Sequence, residues 1–230
     1  MSIAIIGAME EEINILKKNI IFLKNRKIKN FSIYTGYLYE KKIILIKSGI
    51  GKVSACIATT YLIIKFKPKF IINIGFSGSI NKNIKINDIV LPKKISYHDV
   101  DVTAFNYKIG QVPKYPKIFH VNKKLFNIMK KSTKELNYKY FSGLNITGDT
   151  FIYTKKQKNY LQKIFPNAIS VDMESASIQQ VCLYFNVKCI FLRIISDLSN
   201  KKSKIDLKNN YLQKSKKIFL IIKKFFLIYK

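Results

Sequence analysis

Residues 3–16 read IAIIGAMEEEINIL, an apolar run that ends at Gly7 and leads into three consecutive glutamates, Glu10, Glu11 and Glu12. A short apolar run is typical of a buried β-strand. The glutamates fall where a helix begins, because negative charge is favourable at a helix amino terminus. This stretch therefore predicts a strand followed directly by a helix, the basic unit of an α/β domain.

Acidic residues follow two further apolar runs. Asp172 and Glu174 come directly after residues 168–171, and Asp197 follows residues 189–196. Carboxylates at the ends of strands are where α/β enzymes place acid–base chemistry. In a chain with 13 acidic and 42 basic residues, this clustering of the acids predicts an enzyme.

Strand-like and helix-like patterns alternate along the chain. Strands are predicted at residues 3–7, 32–39, 42–47, 70–74, 89–95, up to 147, 168–171 and 189–196. Helices are predicted up to Leu16, after Gly51 to Phe66, at 122–136, 155–165 and 173–185, and at the carboxyl terminus. A turn is expected at 75–79 and an irregular loop at 96–119. The alternation predicts one α/β domain over residues 1–230, with a mixed, mostly parallel central sheet flanked by helices.

The net charge of +29 raises the possibility of a nucleic-acid-binding protein. However, the lysines are spread along the chain, and arginine occurs only at Arg26 and Arg193. Residues with codons rich in A and T are abundant, so genomic base bias explains the charge more simply. We expect no specific nucleic-acid partner, only weak nonspecific binding to polyanions.

The sequence predicts no membrane-spanning segment. The apolar residues 218–222 are interrupted by Lys223 and Lys224, so the run is too short to cross a bilayer. An amphipathic helix packed on the domain is expected, with an interfacial membrane helix as the alternative.

Cysteine spacing and the amino terminus both suggest a cytoplasmic protein. Cys56, Cys182 and Cys189 have neither disulfide-framework nor zinc spacing, and an odd count suits a reducing compartment. We expect no targeting leader, no metal and no cofactor.

Six segments, in order, resemble the signature segments of 5′-methylthioadenosine/S-adenosylhomocysteine nucleosidases, members of the nucleoside phosphorylase superfamily. They are GAMEEE (7–12), SGIGKV (48–53), YHDVDVTAF (97–105), GDTFI (148–152), VDME (171–174) and ISD (195–197). The resemblance implies a nucleoside phosphorylase-like fold. It also implies hydrolysis of the N-glycosidic bond of methylthioadenosine and adenosylhomocysteine, and of 5′-deoxyadenosine, within methionine salvage and methyl-cycle recycling.

The resemblance assigns the chemistry to three carboxylates. Asp197 would protonate the purine at N7, and Glu12 would activate the attacking water. Glu174 would accept hydrogen bonds from the ribose hydroxyls, with Met173 against the sugar. Cleavage of this bond needs an acid and a base on opposite sides of the sugar. Taken singly, Glu174 and Asp197 also fit capping or turn positions, and Glu12 alone is better explained as a charge at a helix start.

The resemblance also assigns the remaining substrate contacts. Phe151 would stack on adenine, and the backbone of Ile152 would read the purine edge. The other implied contacts are Gly78, Ser196, Met9 and Ile50. Arg193 is argued from its own position, because a charge inside an apolar strand needs a partner such as Glu12. A functional role is therefore expected for Arg193.

In the resembling family, the loop at 96–119 reaches the site of a neighbouring subunit. Val102, Phe105 and Pro113 would complete the apolar pocket for the 5′-alkylthio group, which implies a homodimer. One departure from the family pattern is Gly-Phe-Ser-Gly-Ser at 75–79, where Phe76 replaces an expected hydroxyl residue. Asp172 and Leu207 are milder departures.

Two other enzyme classes stay open. A phosphate-dependent purine nucleoside phosphorylase shares the fold, but such enzymes bind phosphate with arginines, and this chain has only two. A futalosine-type nucleosidase is the second alternative.

Overall fold

The computed structural model describes residues 2–29 and 31–229. The strands are β1 (Ile3–Gly7), β2 (Ile21–Ile28), β3 (Phe31–Leu38), β4 (Lys41–Lys47), β5 (Ile71–Ser79), β6 (Ile89–Val90), β7 (Lys94–Tyr97), β8 (Phe119–His120), β9 (Tyr140–Phe141), β10 (Leu144–Thr147), β11 (Ala168–Asp172) and β12 (Cys189–Asp197). The helices are α1 (Glu10–Lys18), α2 (Lys52–Phe66), α3 (Lys123–Glu135), α4 (Lys155–Ile164), α5 (Ser175–Tyr184), α6 (Ser203–Lys208) and α7 (Tyr211–Ile228).

The described strands form one mixed sheet. Its main path runs β2-β3-β4-β1-β5-β11-β10-β7-β8, and β12 pairs with β5 and β6. Strand β1 is parallel to β4 and β5, and β12 is parallel to β5. The hairpin of β3 and β4 is antiparallel, as is the pairing of β11 with β5. The predicted α/β domain with a mixed sheet is confirmed.

Helices cover both faces of the sheet. Successive residues of β1 point in opposite directions, so Ile5 belongs to the core cluster that includes residues of α1, α3 and α7, whereas Ile6 belongs to the cluster that includes residues of α2 and α5. Ile218 and Phe225 of α7 are fully buried, which confirms that the terminal helix packs on the domain. Among the described residues, no helix is long and apolar enough to cross a membrane.

Two predictions of local structure are wrong, and one strand was not predicted. Residues 75–79 continue β5 as a buried strand, because they pair with β12 and with β11. The single strand predicted at 89–95 is two short strands, β6 and β7, which pair with different neighbours around Pro92. Strand β2 was not predicted, since its residues are mostly exposed and carry no alternating pattern.

The strand ends bring the acidic residues together. Strand β11 ends at Asp172, and Glu174 is the residue before α5, so that helix begins two residues later than predicted. A register shift between Ile195 and Asp197 disturbs the pairing of β12 with β5. Such irregularities redirect a side chain, and this one lies next to Asp197.

Candidate active site

A pocket opens where β1, β5, β11 and β12 end. It encloses about 630 Å³ including its mouth, which lies within the range of small-molecule sites. Its lining residues are Ala8, Met9, Glu12, Ile50, Phe76, Ser77, Gly78, Thr150, Phe151, Ile152, Val171, Asp172, Met173, Glu174, Ser196, Asp197, Ser199 and Leu207. The structure thus brings together every predicted site residue except Arg193, Val102, Phe105 and Pro113.

Glu12 lies in the first turn of α1, and its carboxylate is buried. Its Oε2 accepts hydrogen bonds from the Ala8 N–H at 2.6 Å and the Met9 N–H at 3.1 Å, and its Oε1 accepts one from the Phe76 N–H at 2.8 Å. Burial raises the pKa of Glu12, although these backbone hydrogen bonds oppose the shift. A raised pKa makes a carboxylate a better base.

Gly75 allows this arrangement. A Cβ at position 75 would lie 2.7 Å from Oε1 of Glu12. The strand therefore needs glycine here for its backbone to approach the carboxylate.

Glu174 lies at the start of α5, close to the loop that precedes α2. The Gly51 N–H donates to its Oε1 at 2.9 Å. Burial, with a smaller contribution from the negative charge of Asp172, raises the pKa of Glu174 to about 8. This carboxyl retains acceptor capacity that a ligand with hydroxyl groups can use.

Asp197 ends β12 and is buried. The Ser196 hydroxyl donates to Oδ2 at 2.8 Å, and the Ser199 N–H donates to Oδ1 at 2.9 Å. A Cβ at Gly78 would lie 3.1 Å from Oδ1 of Asp197 and 2.6 Å from the Ser199 hydroxyl. The two carboxylates, Glu12 and Asp197, therefore approach β5 at different points along the strand.

Arg193 is buried beneath the pocket and does not line it. Its Nε donates to Oδ2 of Asp172 at 2.9 Å, and Nη2 donates to the Ser175 hydroxyl at 2.6 Å. The other contacts are with the side chain and carbonyl of Asn73 and the carbonyl of Leu192. The predicted pairing of Arg193 with Glu12 is therefore wrong.

Asp172 is the partner that the sequence analysis undervalued. Besides Arg193, it accepts hydrogen bonds from Thr147 at 2.6 Å, from Asn145 at 2.9 Å and from Ser175. Although burial raises the pKa of this carboxyl, the Arg193 charge and these hydrogen bonds hold it below its usual value. Its position at the end of a strand, two residues before Glu174, marked Asp172 as a candidate site residue. The sequence does not show which of the two acids pairs with Arg193.

Two pocket hydroxyls were also missed. The Oγ atoms of Ser77 and Ser199 are buried, and within the described residues neither has a hydrogen-bond partner. Both line the pocket, so they add polar capacity for a ligand. Serine is too common near strand ends to be singled out by sequence.

Phe76 lines the pocket, as its departure from the family pattern suggested. Its ring stacks on Tyr211 with centroids 5.7 Å apart and planes at 21°. Leu207 of α6 lines the same pocket. The pocket lining therefore includes the aromatic ring of Phe76 and the aliphatic side chain of Leu207.

Val102, Phe105 and Pro113 lie outside the pocket of their own chain, in the segment 96–119. Phe105 is 74% exposed, an unusual position for a phenyl ring. Across residues 2–29 and 31–229, no group of three or more His, Cys, Asp or Glu side chains is placed to hold a metal ion.

Comparisons with known proteins agree with this geometry. A family model described as "Phosphorylase superfamily" matches residues 2–226. The chain is 47% identical over 210 residues to a 5′-methylthioadenosine/S-adenosylhomocysteine nucleosidase from Buchnera aphidicola subsp. Acyrthosiphon pisum (strain Tuc7), covering 91% of this chain and 90% of the relative. It is 40% identical over 203 residues to the nucleosidase of the same name from Staphylococcus aureus (strain MRSA252), covering 88% and 89%.

Solved structures of two kinds of nucleoside-cleaving enzyme match nearly the whole chain. The nucleosidase from Neisseria meningitidis in complex with methylthio-immucillin-A has a TM-score of 0.94 at 32% identity and covers 97% of both chains. Futalosine hydrolase of Helicobacter pylori has a TM-score of 0.89 at 29% identity, covering 96% of this chain and 97% of that one.

The fold and the site define an enzyme of the phosphorylase superfamily. Within it, the chain belongs to the 5′-methylthioadenosine/S-adenosylhomocysteine nucleosidase family.

Proposed function

We propose that the protein hydrolyses the N-glycosidic bond of 5′-methylthioadenosine and S-adenosylhomocysteine, and of 5′-deoxyadenosine, releasing adenine and the 5-substituted ribose. This places it in methionine salvage and methyl-cycle recycling. The observation that carries the proposal is one pocket that contains Glu12, Glu174 and Asp197 as separately held carboxyl groups. Its relatives bear the name of this activity.

Glu12 is the proposed general base. Its carboxylate is held by three backbone N–H groups, so it keeps a fixed orientation. Burial makes it more basic than an exposed glutamate. It would take a proton from water as the oxygen attacks the anomeric carbon.

Asp197 is the proposed general acid at purine N7. Glu12 lies beside Gly75 and Asp197 beside Gly78, so the two carboxyl groups adjoin β5 at positions three residues apart. Acid and base would therefore act on the substrate from different points of the pocket, as direct attack by water requires.

Glu174 is the proposed ribose ligand. Its carboxylate would accept hydrogen bonds from the two ribose hydroxyls and would stabilise the positive charge that develops on the sugar ring. Phe151 would stack on adenine, with Ile152, Ser196 and Gly78 around the purine. Met9, Ile50 and Met173 would contact the sugar and the 5′ substituent. Arg193 would not touch the substrate; it would hold Asp172, which lines the pocket, in place.

Product analysis tests the proposed reaction. The protein is incubated with methylthioadenosine, adenosylhomocysteine or adenosine, with and without phosphate, and the products are separated. We expect adenine and free 5-methylthioribose from methylthioadenosine at equal rates in both buffers. If a sugar 1-phosphate is formed instead, the enzyme is a phosphorylase and the proposed hydrolysis is wrong.

The two enzymatic alternatives receive less support. A phosphorylase must bind an anion where water attacks, but the residue proposed there, Glu12, is acidic, and Arg193 is already paired with Asp172. The futalosine alternative has a structural neighbour with a TM-score of 0.89 at 29% identity, against 0.94 at 32% identity for the nucleosidase from Neisseria meningitidis. Futalosine is therefore a useful additional substrate in the same assay.

We also propose a homodimer in which the segment 96–119 completes the neighbouring site. An apolar groove on the surface is lined partly by Tyr97, Val100, Val112 and Tyr115 of this segment. Val53, Ile57 and Tyr184 also line it and are 69%, 54% and 73% exposed. Exposed apolar side chains in such a cluster favour association.

Sedimentation and activity test the dimer together. Ile57→Lys is expected to shift the protein to a monomer and to lower activity, whereas Lys156→Met on an exposed helix position leaves both unchanged. A fully active monomer would refute the shared site.

We further propose a cytoplasmic location, supported by three cysteines that are free in the described structure.

A further inference from the structure

The segment from Asp197 to Asn209 forms one side of the pocket. It contributes Asp197, Ser199 and Leu207 to the lining. Beyond Asp197 the chain leaves the sheet, and α6 has only six residues. Such a short helix is weakly stable by itself, so its position over the pocket depends on contacts from the rest of the domain.

Two lysine ammonium groups make contacts with the backbone of this segment. We propose that Lys158 and Lys214 are positioning residues for the reaction, Lys158 fixing the end that carries Asp197 and Lys214 the end that carries Leu207. This inference rests on the proposed function.

Lys158 reaches the segment from α4. Its Nζ donates to the Leu198 carbonyl at 2.8 Å and to the Ser79 carbonyl at 3.0 Å. Leu198 follows Asp197, and Ser79 follows Gly78 at the end of β5. One ammonium group therefore links the backbone next to Asp197 to the strand end beside it.

Lys214 reaches the segment from α7 and is fully buried. Its Nζ donates to the carbonyls of Asp206 at 2.9 Å, Leu207 at 3.4 Å and Asn209 at 2.6 Å. The last carbonyls of a helix lack partners within the helix, and positive charge is favourable there. An ammonium has three donors, so these carbonyls satisfy it, as a buried charge requires.

The same ammonium group connects α6 with the pocket wall. Lys214 Nζ lies 5.9 Å from the ring centre of Phe76 and 5.7 Å from that of Tyr211. Burial lowers the pKa of Lys158 and of Lys214, while the negative charge of Asp197 opposes both shifts. Both ammonium groups therefore lie within electrostatic range of Asp197.

The test compares Lys158→Met and Lys214→Met with two controls, Lys156→Met and Lys216→Met. The controls replace exposed lysines on the same two helices. For each variant, kcat and KM are measured with methylthioadenosine, adenine affinity by calorimetry, and amide hydrogen exchange over residues 197–209 by mass spectrometry.

The two variants are expected to differ from each other. Lys158→Met misplaces Asp197, so kcat falls about tenfold or more with a smaller change in KM, and Lys158→Arg restores part of the rate. Lys214→Met releases α6, so KM and the adenine Kd rise about tenfold with a smaller change in kcat. Exchange over 197–209 is expected to be about tenfold faster in both.

Two results overturn the inference. One is kinetics and exchange rates equal to those of the controls; the other is a loss of activity that equals the unfolded fraction measured by thermal denaturation. If Lys214→Met does not fold, Lys214→Gln and the Lys158 variants decide. If the wild-type protein neither turns over methylthioadenosine nor binds adenine, the proposed function is wrong, and exchange alone then decides whether the lysines hold the segment.

Discussion

Asp172 and Glu174 are two residues apart and both lie in the pocket floor, yet their surroundings give them opposite properties. Asp172 meets Arg193 and three side-chain donors, so its pKa is lowered. Glu174 accepts one hydrogen bond, from Gly51, in the described structure, and burial raises its pKa to about 8. A buried carboxylate with a complete set of partners cannot lose one of them without a large cost in stability, whereas a carboxyl group with unused acceptor capacity is available to a ligand.

Glu12 belongs with Glu174 in this comparison. Three backbone N–H groups orient it, but it forms no ion pair within the described residues. The negative charge of Glu12 adds to the rise in the pKa of Glu174. In the part of the chain that the structure describes, Glu12 and Glu174 therefore line the pocket as two carboxyl groups without an ion pair, while the nearby guanidinium of Arg193 is paired with Asp172.

The largest expected effect is on the chemistry. Glu12→Gln and Asp197→Asn are each expected to lower kcat by about 10²–10⁴-fold, because each removes a proposed proton-transfer group. Steady-state kinetics with methylthioadenosine measures this, and circular dichroism checks that each variant is folded. Near-normal rates in a folded variant would show that its assigned role is wrong.

The next effect separates Asp172 from Glu174 by stability. Asp172→Asn leaves Arg193 buried without an opposite charge, so the free energy of unfolding is expected to fall by about 3–5 kcal/mol. Glu174→Gln is the matched control and is expected not to lower the free energy of unfolding, because no cation is left unpaired and a buried ionisable group is removed. Urea denaturation at pH 7 measures both. Equal losses would contradict the assignment of Asp172 as the structural partner.

The third effect separates the same residues by ligand. Glu174→Gln weakens hydrogen bonds from the ribose hydroxyls, so KM for methylthioadenosine is expected to rise about 10–100-fold. Adenine lacks the sugar, so its Kd is expected to stay within about twofold. Calorimetry with adenine, beside the kinetics, makes the comparison; equal weakening of both ligands would remove Glu174 from the ribose site.

A fourth effect, no larger than the third, is on the pH dependence of ligand binding. In the empty pocket Glu174 is protonated below its pKa of about 8, and ribose binding needs the carboxylate. The Kd of a non-hydrolysable methylthioadenosine analogue is therefore expected to fall as pH rises from 6 to 8, by at most about tenfold per unit. In Glu174→Gln this slope disappears; a slope that persists there belongs to another group.

The stability of the empty protein has the opposite dependence. The pKa of Glu174 is higher in the folded protein than in the unfolded chain, so the protonated carboxyl group favours the folded state. This contribution is complete at a pH below the pKa of the unfolded chain and is lost as the pH rises through about 8. Glu174→Gln removes the loss. The melting temperature of the variant is therefore expected to exceed that of the wild type more at pH 8.5 than at pH 6.

The candidate site was predictable where short motifs carry the chemistry. Glu12, Glu174 and Asp197 lie in motifs at strand ends, and the pocket contains all three. Strand β2 was not predictable, since its exposed residues have no hydrophobic pattern. Lys158 and Lys214 were indistinguishable from other lysines in a chain with a net charge of +29.

The sequence alone determined the α/β alternation and the identity of the acids, because both depend on local periodicity and on residue type next to strand ends. Only the tertiary structure decided which acid pairs with Arg193, how far β5 extends and which lysines contact the segment 197–209. Those outcomes depend on contacts between residues such as Asn73 and Arg193, or Asp206 and Lys214, that lie on separate elements. Partner choice among buried charges follows from packing, which brings one carboxylate within reach of the guanidinium and leaves its neighbour facing the pocket.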